Sequence, residues 1–277
     1  MLIMSINVLS KTCSNCGAPL SGYLCLYCDT EYKPAVDLGY RIPEPRPELV
    51  PAGLFEVELG SARYRVRGRI AVGGHSEVLL ARTACAATRQ VVLKVAEDVE
   101  RLESEWSSLR HLQHRNSYLD RLLPQPLKLG SWRGKAVLVT GWRSGFVHTL
   151  AYARKRRPTG LDPAALVWIW SRVLDQITVL RDLGYSHRAL RPEHLLVHPR
   201  DHGVAFCGWG EAVMGAHQDL ADSGRCLTEL MGSGAPRALR ELAESAYQFD
   251  RPHHLQSELK KVARAEFGPP RFVPFAL

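Results

Sequence analysis

The spacing of apolar and polar residues changes along the chain, and the changes outline its elements. Residues 55–59 (Phe-Glu-Val-Glu-Leu) alternate apolar with acidic side chains, and residues 64–70 alternate again before Gly73-Gly74. A period of two marks a half-buried strand and paired glycines mark a tight turn, so this stretch predicts strands meeting a glycine turn. Residues 77–81 predict the next strand, and residues 90–96 a strongly apolar one carrying a single lysine, Lys94. The period then lengthens. Over residues 98–113, Leu102, Leu109 and Leu112 share one helical face with Glu105, which predicts a helix with a carboxylate on its core stripe. Two further apolar runs, residues 123–130 and 136–140, complete a small antiparallel sheet, and residues 141–145 read as a hinge.

Beyond the hinge the pattern is helical. Over residues 163–183, Leu166, Ile169, Trp170, Val173, Leu174, Ile177 and Leu180 recur at three- and four-residue spacing, and Gly184 ends the helix. Tryptophans at that spacing belong to a core. Helices are also predicted over residues 219–231, 236–247 and 254–267. A sheet followed by helices gives an α+β class.

The stretch before the sheet has a different character. Cys13-Ser-Asn-Cys16 and Cys25-Leu-Tyr-Cys28 are two C-x2-C knuckles eight residues apart, and together they resemble a short zinc ribbon. Two such pairs close a tetrahedral thiolate site with no open position, so the expected metal is structural zinc bound by Cys13, Cys16, Cys25 and Cys28. A redox dithiol or an iron–sulfur centre is the alternative. A segment this short cannot stabilise itself by apolar burial, so the metal would supply its folding energy. From residue 33 to 53, Pro34, Pro43, Pro45, Pro47 and Pro51 punctuate a polar run without periodicity, which reads as an extended linker. The expected organisation is a zinc ribbon over residues 11–32, a proline-rich linker over 33–53, a first lobe over 54–142 and a second over 143–277.

Composition narrows the function classes. The chain has 277 residues, 45% hydrophobic and 23% charged, enough to bury a sizeable core. No apolar run is long enough to cross a membrane, and the apolar start, MLIMSINVLSK, lacks the basic region and cleavage site of a secretory signal. Seven cysteines, four of them in the knuckles, are metal-site arithmetic and point to a reducing, cytoplasmic setting. The formal charge of +8 falls to roughly +6 once four thiolates and one zinc are counted. The basic run Arg154-Lys155-Arg156-Arg157 has no aromatic interleaved, so it reads as a solvated face first and as a phosphate or nucleic-acid contact second.

Residues 183–212 then give the chain its family likeness. His187, Arg188, Leu190, Pro192 and the run Leu195, Leu196, Val197 resemble the His-Arg-Asp-Leu-Lys-Pro-Glu-Asn loop of eukaryotic-type protein kinases. The strand with Lys94 resembles that family's Val-Ala-Ile-Lys strand. The spacing Glu105, Leu109, Leu112 resembles the helix that supplies the lysine's glutamate. Residues 219–231 resemble the helix whose first Asp anchors the catalytic loop, and Asp250-Arg251-Pro252 its late Arg-Pro element. The likeness spans about residues 60 to 265, in order. It implies a bilobal kinase-like fold, with a small antiparallel first lobe and a helical second one.

The departures fall on the chemistry. Ala189 stands at the position of the family's catalytic Asp, His194 at its metal-binding Asn, and Gly208-Trp209-Gly210 replaces Asp-Phe-Gly. Aligned on Val78, the glycine loop keeps only Gly73, with Ala71 and Ser76 at the other glycine positions, and an ordinary hairpin turn explains Gly73-Gly74 equally well. Only residues 213–218 lie between the segment 183–212 and the next helix, too few for an activation segment. The resemblance with these losses implies a pseudokinase that has no catalytic residue and works by binding a protein partner. Lys94, Glu105, Gly73 and Arg191 are its candidate ATP-binding residues, without the usual magnesium ligands. An enzyme in which Glu193, Glu211, His187 or His194 takes over the missing roles is the second reading, and a nucleic-acid-binding adaptor the third.

Overall fold

The computed structural model describes residues 11–13, 19–20, 47–53, 55–74, 76–85, 88–198, 202–215, 218–272 and 275. In the cysteine segment, β1 (Lys11–Thr12) pairs antiparallel with β2 (Pro19–Leu20), and the buried Cys13 follows directly on β1. The other three candidate ligands, Cys16, Cys25 and Cys28, lie outside the described residues.

Six antiparallel strands form the first lobe: β3 (Glu56–Leu59), β4 (Ala62–Val72), β5 (Ser76–Thr83), β6 (Gln90–Ala96), β7 (Pro126–Trp132) and β8 (Lys135–Gly141), in the order β3-β4-β5-β6-β8-β7. Alternation gives the sheet two different faces. Val91, Leu93, Val95, Val137 and Val139 point into one core with Val57, Leu59, Tyr64 and Val66. Ala96, Ala136 and Leu138 point the other way, into the core shared with the helices. Each fully buried Leu or Val contributes on the order of 2 kcal/mol. The sheet curls until its ends meet: Phe55 stacks on Trp132 at 5.5 Å and Lys128 Nζ donates to the Leu59 carbonyl at 2.6 Å.

Against the second face lies α1 (Val99–Leu112), capped by the Asp98 carboxylate, which accepts from Arg101 N. Its buried stripe is Leu102, Glu105, Ser108, Leu109 and Leu112. A short α2 (Ser117–Asp120) leads back to β7. In the connection after β8, Arg143 donates to the carbonyls of Leu123 and Asp120, which pins the link between lobes to the first lobe.

The second lobe opens with β9 (His148–Thr149) and α3 (Leu150–Arg156). The 20-residue α4 (Pro163–Asp182) starts as its sequence prescribes, with Asp162 capping and Pro163 in the first turn. Then come β10 (Tyr185–Ser186), β11 (Leu195–His198), β12 (Gly203–Phe206) and β13 (Val213–Met214), with β11 paired to both β9 and β12, and β10 to β13. Helices α5 (Asp219–Leu230), α6 (Arg237–Glu244) and α7 (Pro252–Phe267) complete the lobe. α5 is its hub. Trp170 Nε1 on α4 donates to Ser223 Oγ at 3.1 Å, and a Cβ at Gly224 would lie 2.3 Å from the Ala243 carbonyl oxygen, so only glycine admits the α6 backbone there. The exposed side of α5 carries Arg225 and Glu229. No helix among the described residues is long and apolar enough to cross a membrane.

Two stretches gain detail from the structure. The run Arg154–Arg157, read as a solvated face, closes α3: Leu150 and Ala153 are buried, Arg154 donates to the Arg157 carbonyl, and residues 155–157 are exposed. Residues 47–53, read as linker, run beside the sheet, with Val50 bridged to Arg69 on β4. Main-chain pairing of this kind needs no periodic side chains.

Candidate functional site

The cleft floor is built on one carboxylate. Asp219, buried in the first turn of α5, accepts from His187 N and Arg188 N, both at 2.8 Å. This fixes the turn in which Arg188 adopts a left-handed φ of +59°. Ala189 and Leu190 follow, both buried. Ala189 therefore adds only a buried methyl group to this turn.

Next comes a 3-10 turn, Pro192–His194. His194 Nδ1 lies 2.8 Å from the Ala189 carbonyl and 3.4 Å from Arg191 Nε. The shorter contact makes Nδ1 the protonated nitrogen, which donates to Ala189, so Nε2 faces the other way. That way lies Gly208. A Cβ there would sit 2.7 Å from His194 Cδ2 and Nε2 and 2.9 Å from Cε1. Gly208 also has a φ of +75°, which glycine takes without cost. The imidazole thus fills the space that a side chain at residue 208 would need. Burial holds His194 below the ordinary histidine pKa, and the nearby cations Arg191 and Lys94 add to this.

His187 is part of the core. Its ring has no exposed surface, lies edge-on to Trp209 at 4.6 Å, and places Nε2 3.1 Å from the Cys207 carbonyl. Trp209 is equally buried and donates through Nε1 to Phe206 O, so it is part of the helical core. Burial, then the charges of His194, Arg191 and Lys94, depress the His187 pKa to about 3. The consequence for stability has a definite sign. Between pH 6.5 and about 3 the unfolded chain binds a proton that the folded chain refuses. The stabilisation is complete above pH 6.5 and is lost as pH falls through that window, at up to about 1.4 kcal/mol per unit. His187→Gln keeps a donor for Cys207 and should flatten the unfolding free energy between pH 6.5 and 5 in urea titrations.

Lys94 lies on the α1 face of β6, paired in register with Leu138, and its Nζ is 2.5 Å from Glu105 Oε2. Arg101, one helical turn before Glu105 on α1, reaches the second lobe instead. Arg101 Nη2 contacts Glu211 Oε1 at 2.5 Å, and Arg191 Nη2 reaches the same oxygen at 3.1 Å. Glu211 is thus shared by two guanidiniums from different lobes. Sequence reading singled out Glu211 and Arg191 separately, but not Arg101. The pairing spans 110 residues and leaves no local signal.

The remaining candidates are placed as follows. Gly73 N donates to Ser76 O at 2.8 Å, and Val72 pairs with Glu77, so the loop closes as a hairpin turn. Cys207, next to Gly208, has its thiol pushed up to about 12 by burial, which makes it a poor nucleophile. In the basic run, Arg154 donates to the carbonyls of Arg157, Pro158 and Glu229, and Arg156 faces Glu48 at 3.9 Å. These two guanidiniums serve the protein's own chain. Among the described residues, no group of three or more His, Cys, Asp or Glu is arranged to hold a metal ion.

The magnesium ions of a kinase need carboxylate or amide oxygens here. Gly208 supplies none, His194 supplies a nitrogen packed on the glycine, and Glu211 is engaged by two arginines. The residues present do not fit that metal.

No family model and no curated protein matches the sequence. Solved structures do. The kinase domain of PF14_0431 superposes with a TM-score of 0.52 at 14% identity, over 64% of this chain and 66% of that one. The BubR1 kinase domain superposes with a TM-score of 0.59 at 12% identity, over 82% and 86%. The chain has a protein-kinase-like fold. This chain spans just under two thirds of the PF14_0431 kinase domain, and at such identities the likeness extends to the fold alone.

Proposed function

We propose that this chain is a pseudokinase: a regulatory or scaffolding protein that binds a protein partner through its kinase-like body, with a zinc ribbon as a second interaction module. The observation that carries this reading is the mutual exclusion of His194 and Gly208. One residue has lost the carboxylate and the other occupies its room, so neither single substitution returns a metal site. The short 213–218 connection supports the same conclusion, because it leaves no platform for a peptide substrate. Zinc at Cys13, Cys16, Cys25 and Cys28 rests on the donor set. The β1–β2 ladder brackets the first knuckle in sequence, and Cys13 is buried.

Metal-free ATP binding is a second reading, favoured by the Lys94–Glu105 contact, which places an ammonium in the cleft. Two features weigh against transfer chemistry from relocated groups: Glu211 is clamped, and His187 is buried and neutral. The nucleic-acid reading loses support because Arg154 and Arg156 are engaged within the chain.

Calorimetry with ATP, with and without magnesium or manganese, tests the proposal on protein whose zinc content has been measured, one ion per chain being expected. Heat that is absent, or weak and indifferent to the divalent ion, is the expected result. Tight binding that requires the divalent ion would overturn it.

A further inference from the structure

The residues that lead into the sheet touch both lobes within three positions. Val50 and Arg69 form a reciprocal bridge, Arg69 N donating to Val50 O at 2.9 Å and Val50 N to Arg69 O at 3.0 Å. Leu49 packs over Gly68, with its Cβ 2.9 Å from where a Cβ on Gly68 would be, so the absence of a side chain there makes room for it. Two residues before Val50, the chain has reached the other lobe. Tyr152 Oη on α3 donates to Glu48 Oε1 at 2.6 Å, and Arg156 Nη1 lies 3.9 Å from the same oxygen.

The location gives these contacts their meaning. The lobes are joined covalently through residues 142–147. At one end of the sheet, α1 packs on β7 and β8 and meets the Trp209–Glu211 turn through Arg101 and Glu211. Arg69 lies on β4, three strands away from β8 in the sheet order, and α3 is the first helix after the interlobe connection. Residues 48–50 therefore tie the first lobe to the second at a point other than the Arg101–Glu211 contact. Glu48, Leu49 and Val50 are all exposed. Exposed contacts of this kind are individually weak and are screened by salt, so the tie can release without unfolding either lobe.

We propose that residues 47–50 form a releasable strap that latches the two lobes together and limits opening of the cleft. The inference does not depend on what the cleft binds or on whether it has activity. The side-chain end is the Glu48–Tyr152 hydrogen bond, and the main-chain end is the Val50–Arg69 bridge.

Hydrogen–deuterium exchange on the full chain, comparing wild type with Glu48→Ala and Tyr152→Phe, tests it. Both variants remove the Tyr152–Glu48 hydrogen bond and should exchange about fivefold faster or more over the roof, residues 68–73, and the floor, residues 187–194 and 207–212, with α4 unchanged. Faster exchange confined to residues 47–53, or no change anywhere, overturns the proposal, because the segment is then a surface strand without a hold on the lobes. If Glu48→Ala loosens α4 as well, the variant is unfolding, and Tyr152→Phe, which removes a single hydroxyl, decides between the same two outcomes.

Discussion

Gly208→Asp, which would put a carboxylate beside His194, is expected to cost about 2–5 kcal/mol of stability. Two effects add. The backbone at residue 208 has a φ of +75°, which costs an L-residue about 1–2 kcal/mol. The new Cβ would meet three atoms of the His194 ring at 2.7–2.9 Å, and overpacking of that kind costs about 1–3 kcal/mol. His194 cannot swing aside freely, because its Nδ1–H is spent on the Ala189 carbonyl and leaving would orphan a buried acceptor. His194→Asn shortens the side chain that stands in the way. Combined with Gly208→Asp it should recover about 1–3 kcal/mol, a coupling that a double-mutant cycle in urea reads directly. A Gly208→Asp protein within about 0.5 kcal/mol of wild type would show that His194 does not hold that space.

Sequence reading reached the frame of this site because the frame obeys local periods. Period two in Gln90–Ala96 sends Val91, Leu93 and Val95 to one face and Lys94 to the other, and the helical stripe Leu102, Leu109 and Leu112 carries Glu105 to meet it. Asp219, read as the anchor of the loop, accepts the two amides at its start. What escaped was whatever depends on approach in space. Nothing local to Arg101 announces Glu211, and the substitutions at His194 and Gly208 read as two separate losses until the ring and the glycine are seen to share one volume. Residues 47–50 escaped for another reason. Prolines without periodicity read as a linker, whereas an edge bridge such as Val50–Arg69 uses peptide groups that every sequence has.

Lys94→Met is expected to lower the unfolding free energy by about 3–5 kcal/mol, because it leaves the Glu105 carboxylate buried without a counter-charge. Glu105 is only 4% exposed, and its Oε2 lies 2.5 Å from Lys94 Nζ. Without its partner the carboxylate keeps its desolvation cost with nothing to offset it. The double variant Lys94→Met, Glu105→Leu removes both charges and should regain most of the loss, since apolar replacement of a buried pair is often neutral or stabilising. Chemical denaturation of the three variants measures both effects. The double variant also separates two roles for the pair. α1 joins β6 to the floor, through Lys94–Glu105 on one side and Arg101–Glu211 on the other. If the pair is an architectural strut, the double variant keeps whatever heat ATP gives in the calorimeter. If Lys94 is a phosphate ligand, that heat disappears while stability stays near wild type, and the lysine then has a binding role beyond its pairing with Glu105.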